Sequence, residues 1–326
     1  MQRFKNILCV VSTDLKDNTA LEHAVKLAEN NQASITVVEV IDEIPPNTNL
    51  FELTLSPEEL QEKIVIEYEK KLEELVSIWN KKIEIKYKVL VGNLYLEIIY
   101  GVLRNKYDLV VKMAENGGIV NRMFGSDDMH LLRKCPCPVW IVKQESNKEY
   151  QRILAAVDVN DFYSPEQLDT RRLLNLQVLE MALSLALLES AEMHVVHAWD
   201  AIGESVINLV FHDTPEEKVA AYVEEVRKQN ADNMDELMHE LTRCMGQDAV
   251  SHIKPQSHLI KGYPRKDISL FAKEIKADLV VMGTVARTGI PGLFMGNTAE
   301  SILNQLNCSV LAVKPSGFMT PVTLDE

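Results

Sequence analysis

Short unbroken apolar runs alternate along this chain with longer stretches whose apolar residues recur at helical spacing. Residues 4–11 end in such a run, Ile7-Leu8-Cys9-Val10-Val11, as parallel strands buried on both faces do. Leu21, Ala24, Val25, Leu27 and Ala28 then mark a helix over 17–31, and 35–41 reads as a second strand ended by Pro45-Pro46. Ser56-Pro57-Glu58-Glu59 opens a helix reaching about Asn80, with Ser as cap, Pro at the first helical position and acids in the first turn. A strand over 83–90, a helix over 93–105, a strand over 107–113, a helix from near Ser126 and a strand over 138–142 follow. Strands and helices in strict alternation predict a doubly wound α/β domain with a parallel five-stranded sheet.

After a polar, non-periodic linker over 143–151 the pattern begins again. Ile153 to Asp158 repeats Ile7 to Ser12, Met193 to Trp199 repeats 35–41, and Leu259 to Gly262 repeats Leu90 to Gly92 with one residue inserted. Asp278-Leu-Val-Val-Met282 repeats Asp108-Leu-Val-Val-Lys112, and Cys308 to Lys314 repeats Cys137 to Lys143. The offset between copies grows from 146 at the first strand to 171 at the last, so the second copy has about 25 extra residues, nearly all between its first and third strands. The chain therefore reads as a duplication: domain one over 1–144, domain two over 151–315 and a tail over 316–326.

Composition narrows the class. The 326 residues are 46% hydrophobic and 25% charged, as in globular proteins, and no run approaches the roughly 20 apolar residues of a membrane span. The chain enters its first strand without a signal-peptide core, so a cytoplasmic location is expected. A net charge of −14 opposes non-specific binding to nucleic acid or anionic membrane. The five cysteines suit reduced, buried thiols better than a disulfide framework. Cys135-Pro136-Cys137 is either a redox or metal pair or simply small packing residues where a helix enters a strand.

In doubly wound sheets of order 3-2-1-4-5, ligands bind outside the carboxyl ends of strands 1 and 4. That crevice places Asp158 beside Gly283 in the second copy, and Ser12 beside Met113 in the first. The stretch Asp278 to Glu300 is a buried strand, a loop with four glycines and a helix start, with Asn297 and Glu300 at capping-box spacing. Such units present backbone N–H groups to an anion, although glycine-rich βα turns without ligands are also common. The first copy offers Glu115 in its loop and Asp127-Asp128 in the first helical turn, where carboxylates would repel a phosphate, so its site is expected to be degenerate.

These residues resemble the universal stress protein family, across both repeats. Its ATP-binding members carry Gly-x2-Gly-x9-Gly-(Ser/Thr) after strand 4 and an Asp ending strand 1. The matching positions here are Gly283, Ala286 and Gly296, followed by Asn297 and Thr298, with Asp158 as the acid. Segments His130 to Trp140, Gly283 to Pro291 and Gly296 to Glu300 are similar to the tandem, E-type members of enteric-type bacteria. Two positions depart: Ala286 replaces a glycine, and Asn297 stands where the family has a hydroxyl, with Thr298 beside it. The resemblance implies adenine-nucleotide-type layers packed as an internal pseudo-dimer, with homodimers and unidentified protein partners as further levels. It also implies ATP or another adenine nucleotide with Mg2+ as ligand, Ala198 of strand 2 lining the adenine, and a role in stress resistance that includes survival of DNA damage.

Arg287 and Lys261 are the cations expected nearest the phosphates. His194, His197, His252 and His258 fall on or near adjacent strands, but His194 and His197 point to opposite faces, which works against a zinc site. No Walker loop, Gly-x-Gly-x-x-Gly, Gly-x-Ser-x-Gly or His-Glu-x-x-His is present. Lys143 and Lys314 suit a receiver domain, but Val91-Gly92 and Lys261-Gly262 stand where its phospho-accepting Asp belongs. Asp158 is the only carboxylate placed to act as a base, so slow ATP hydrolysis is the most catalysis expected. Two other readings remain: an interaction scaffold with both sites degenerate, and a binder of an apolar small molecule. The second of these would use loops 160–169 and 200–214, which carry Phe162, Tyr163, Ile202, Val206, Ile207, Leu209, Val210 and Phe211.

Overall fold

The computed structural model describes residues 4–15, 17–46, 55–79, 83–115, 124–144, 149–201, 203, 215–284 and 295–324. The chain divides into two compact units, Met1–Lys148 with Met319–Glu326, and Glu149–Phe318. Unit 1 runs β1 (Asn6–Val10), α1 (Thr19–Asn31), β2 (Ser34–Ile41), α2 (Pro57–Ser77), β3 (Ile85–Val91), α3 (Leu94–Asn105), β4 (Leu109–Met113), α4 (Ser126–Lys134) and β5 (Val139–Val142). All its strand pairs are parallel, in the order 3-2-1-4-5, with Ile7 opposite Ile35 on one side and Leu109 on the other. Helix α2 starts where the sequence places it. Ser56 Oγ accepts from Glu59 N at 3.2 Å, and Glu59 Oε2 accepts from Ser56 N at 2.9 Å.

Unit 2 repeats the plan as β6 (Arg152–Ala156), α5 (Pro165–Glu189), β7 (Glu192–Trp199), α6 (Glu216–Met245), α7 (Gln247–Ile253), β8 (Gln256–Lys261), α8 (Pro264–Glu274), β9 (Leu279–Gly283), α9 (Asn297–Leu303) and β10 (Ser309–Val313). Its strands lie parallel in the order β8-β7-β6-β9-β10. The repeated aspartates do one job in both copies. Asp108 accepts from the backbone N–H groups of Lys5 and Asn6, and Asp278 from those of Gln151 and Arg152. Each ties the start of a first strand to the start of a fourth.

The extra length of the second copy goes into helix. Helix α5 has 25 residues against 13 in α1, α6 has 30 against 21 in α2, and α7 is added. The stretch read as a loop over 160–169 is therefore helical from Pro165 onward. The reason is local, because Ser164-Pro165 supplies a cap position and a first-turn proline. Among the described residues no helix is long and apolar enough to cross a membrane.

Candidate functional site

Beyond the carboxyl ends of β6 and β9, unit 2 encloses a cavity of about 540 Å³. Asp158, Ala198, Gly283, Gly296, Asn297 and Thr298, expected from four separate parts of the sequence, all line it. Ala286 and Arg287 lie outside the described residues. Lys261 is exposed at the end of β8 and is not part of the lining, where Arg171 and Arg265 are the cations.

The floor is built by the sheet. Thr284 N donates to Val313 O at 3.1 Å, and Gly296 N donates to Thr284 O at 2.9 Å, closing the base of the loop between them. Beneath it, buried Lys314 donates to Thr284 Oγ1 at 2.7 Å and lies over the Phe318 ring. Helix α9 begins at Asn297 with Gly296 as its cap and no side-chain cap bond, so the expected Asn297–Glu300 capping box does not form. Gly296 is already extended by its bond to Thr284, which leaves Asn297 as the first helical residue.

Helix α5 forms the other wall. A Cβ on Gly283 would come within 2.6 Å of Leu174 Cδ2, so a side chain there would have to push Leu174 of α5 aside. Asn175 clamps the Asp158 backbone, accepting from Asp158 N at 3.0 Å and donating to Asp158 O at 2.7 Å. The Asp158 carboxylate accepts from Asn160 Nδ2 at 2.8 Å, Asn160 N at 3.3 Å, Tyr163 OH at 3.1 Å and Arg171 Nη1. The Arg171 guanidinium also lies 3.6 Å from the centre of the Tyr163 ring. Helix α6 holds the same loop from behind, with Asn233 Nδ2 donating to Val159 O at 2.9 Å. Buried His197 sits between Val157 O at 3.2 Å and Asn230 Oδ1 at 3.0 Å.

Sequence reasoning missed Arg171, Leu174 and Asn175. Their signal was there: after Ser164-Pro165, positions 171, 174 and 175 share one helical face.

At the corresponding place in unit 1, charged side chains engage one another. Buried Lys112 donates to Asp128 Oδ1 at 2.7 Å, Met113 O at 3.0 Å and Glu115 Oε1 at 3.4 Å. Asp128 Oδ2 accepts from Glu115 N and Gly125 N. A Cβ on Gly125 would fall 1.8 Å from Glu115 Oε2, so that carboxyl group occupies the space above the glycine. Burial raises the pKa of Glu115 against the opposing pull of Lys112, and burial likewise raises that of Glu39, which accepts from Thr13 N.

The other candidates resolve separately. His194 Nδ1 and His258 Nε2 are 3.0 Å apart, away from His197 and its partners. Cys135 and Cys137 are buried with their sulfurs 3.6 Å apart, and their mutual hydrogen bond together with burial holds the Cys137 thiol well above its ordinary range. Of the loop residues named for an apolar ligand, Phe162 is exposed and Tyr163 turns to Asp158, while Ile202, Val206, Ile207, Leu209, Val210 and Phe211 lie outside the described residues.

Two doubly wound units, one with a ligand-sized cavity at its strand-order reversal, define a tandem protein of the doubly wound α/β type. The universal stress protein family model matches residues 3–143 and 149–314, and the chain belongs to that family, with two tandem domains. It is 31% identical over 321 residues to the universal stress protein E homolog of Haemophilus influenzae, covering 96% of this chain and 98% of that protein. It is 30% identical over 335 residues to universal stress protein E of Escherichia coli K12, covering 100% and 99%. A crystal structure from Pseudomonas aeruginosa UCBPP-PA14 has the same fold, with TM-score 0.64 at 24% identity over 96% of this chain and 94% of that one.

Proposed function

We propose that unit 2 binds an adenine nucleotide and that unit 1 is its non-binding companion, in a stress-resistance role that includes survival of DNA-damaging agents in the cytoplasm. The carrying observation is convergence: Asp158, Ala198, Gly283 and the run Gly296-Asn297-Thr298 come from distant parts of the chain and line one cavity of about 540 Å³. That size falls within the roughly 300–1,000 Å³ of small-ligand sites. The lining suits a nucleotide chemically. Ala198, Ile268, Met282 and Ile302 offer an apolar end for a base, while Thr284, Asn297, Thr298, Arg171 and Arg265 offer donors for phosphate. Mg2+ would arrive with the phosphates, and no residue here is proposed as a catalyst.

Gly296 supplies a clean test. Its φ of −63° suits any residue, and among the described residues a Cβ there would meet only Thr284 O at 4.0 Å. Gly296→Val therefore fills the cavity without straining the backbone. Calorimetric titration with ATP should give saturable binding to the wild type and none to Gly296→Val. No heat from the wild type at millimolar ATP, or equal binding by both, would overturn the reading.

A further inference from the structure

Asp158 was the expected ligand acceptor, yet its two oxygens are already engaged by Asn160, Tyr163 and Arg171. A carboxylate has about four lone-pair sites, and four donors reach this one, so no acceptor capacity is left for a ligand hydroxyl. The cation it holds is in the opposite condition. Arg171 uses Nη1 on Asp158, while its Nε is buried and, among the described residues, has no hydrogen-bond partner. One anion acceptor therefore leaves this guanidinium with donor capacity to spare.

Arg171 is also fixed from several sides. Its guanidinium stacks on Tyr163, and the next residue, Arg172, donates to Glu236 and Glu240 of α6 at 3.1 and 2.8 Å. Asn175, one turn on, is bonded to the Asp158 backbone. Among the described residues lining the cavity Asp158 is the only carboxylate, and it is neutralised by Arg171 itself. Arg265 adds a second cation to the lining. A guanidinium already oriented by its ion pair and ring contact reads an oxyanion at little ordering cost.

We propose that Arg171 is the anion-reading residue of the unit 2 cavity: it takes a phosphate oxygen of the ligand on its guanidinium, and Asp158 and Tyr163 are the positioning residues that hold it there. The proposal rests on the nucleotide reading above and deepens it, moving the role of Asp158 from ligand contact to support of Arg171.

The experiment titrates wild type, Arg171→Met and Arg171→Lys with ATP, adenosine and pyrophosphate, after circular dichroism establishes that each variant is folded. Arg171→Met should weaken ATP and pyrophosphate binding by about tenfold or more and leave adenosine within about twofold. Arg171→Lys, which keeps the charge but loses the fork, should recover part of the ATP affinity and carries the test alone if the methionine variant does not fold. ATP binding that is unchanged or tighter in the variants, or equal losses for ATP and adenosine, would overturn the assignment while leaving the nucleotide reading standing. Pyrophosphate binding that depends on Arg171, without any binding of ATP or adenosine, would do the reverse.

Discussion

At two matching places in the repeat, the fourth residue of the fourth strand and the third residue of the next helix, unit 1 has Lys112 and Asp128 where unit 2 has Met282 and Ala299. In unit 1 the pair forms a 2.7 Å ion pair with both side chains almost fully buried, and Glu115 closes over Gly125. In unit 2 both residues line the cavity. One copy has turned its charges onto one another, while the other lines a cavity with apolar residues at these places and edges it with arginines. A shared backbone therefore does not make a shared site. The difference lies in a few side chains that either satisfy one another or leave donors for something else.

The strongest way to break this comparison is to give unit 1 the residues of unit 2, one at a time and together. Lys112→Met alone strands the Asp128 carboxylate, which has no solvent exposure, and should cost about 3–5 kcal/mol. Lys112→Met with Asp128→Ala removes both charges and should recover most of that loss, because a buried pair replaced by apolar groups is often close to neutral. Urea denaturation of the three proteins measures it. A double variant no more stable than the single would mean that the ion pair does more than satisfy its own charges.

The glycines give the next largest effect. Gly125 and Gly296 are the same motif position, and both have ordinary extended backbone, so conformational freedom does not distinguish them. Their surroundings do. Among the described residues, a methyl group at Gly125 would meet Glu115 Oε2 at 1.8 Å and Glu115 Cβ at 2.7 Å, whereas one at Gly296 would meet only Thr284 O at 4.0 Å. Gly125→Ala should destabilise by about 1–3 kcal/mol, as overpacking does. Gly296→Ala should be neutral or stabilise by up to about 1 kcal/mol through the unfolded chain. Denaturant midpoints for the two variants test this, and equal losses would mean that Gly296 is as crowded as Gly125.

Much of this was legible in the chain. The α/β alternation and the duplication follow from apolar runs and repeat offsets, because period and repetition are one-dimensional signals; the strand order, and the crevice that depends on it, had to be assumed from the fold class. Asp158, Gly283 and Gly296 could be assigned to that crevice because strand ends can be counted. What could not be read was pairing across elements. The sequence places Asp127 and Asp128 together as carboxylates set against phosphate, but only the packing of α4 on β4 turns Asp128 onto Lys112. Arg171 and Leu174 were hidden for a related reason. The start of α5 was read as loop, so its inward face went uncounted.

The last and smallest effect is a difference of sign in acid. His258 has its pKa lowered by burial first and by neighbouring His194 second, with Glu274 opposing; Phe271 packs tilted against its ring, and Glu192 lies 3.7 Å from His194. The folded unit 2 thus holds His258 neutral where the unfolded chain would bind a proton, so the stability it contributes is complete above about pH 6.5 and declines as pH falls through the lowered value. Glu39 and Glu115 in unit 1 are raised above 4.5 by burial, so there the folded state binds protons that the unfolded chain has released. Their contribution improves as pH falls from neutrality through the raised values toward 4.5. Melting temperatures measured from neutral pH down to about 4.5 should therefore fall less steeply in His258→Gln than in the wild type. Glu39→Gln should gain most at neutral pH and least at the acid end. Parallel pH profiles for all three proteins would mean that these buried groups do not separate the acid responses of the two units.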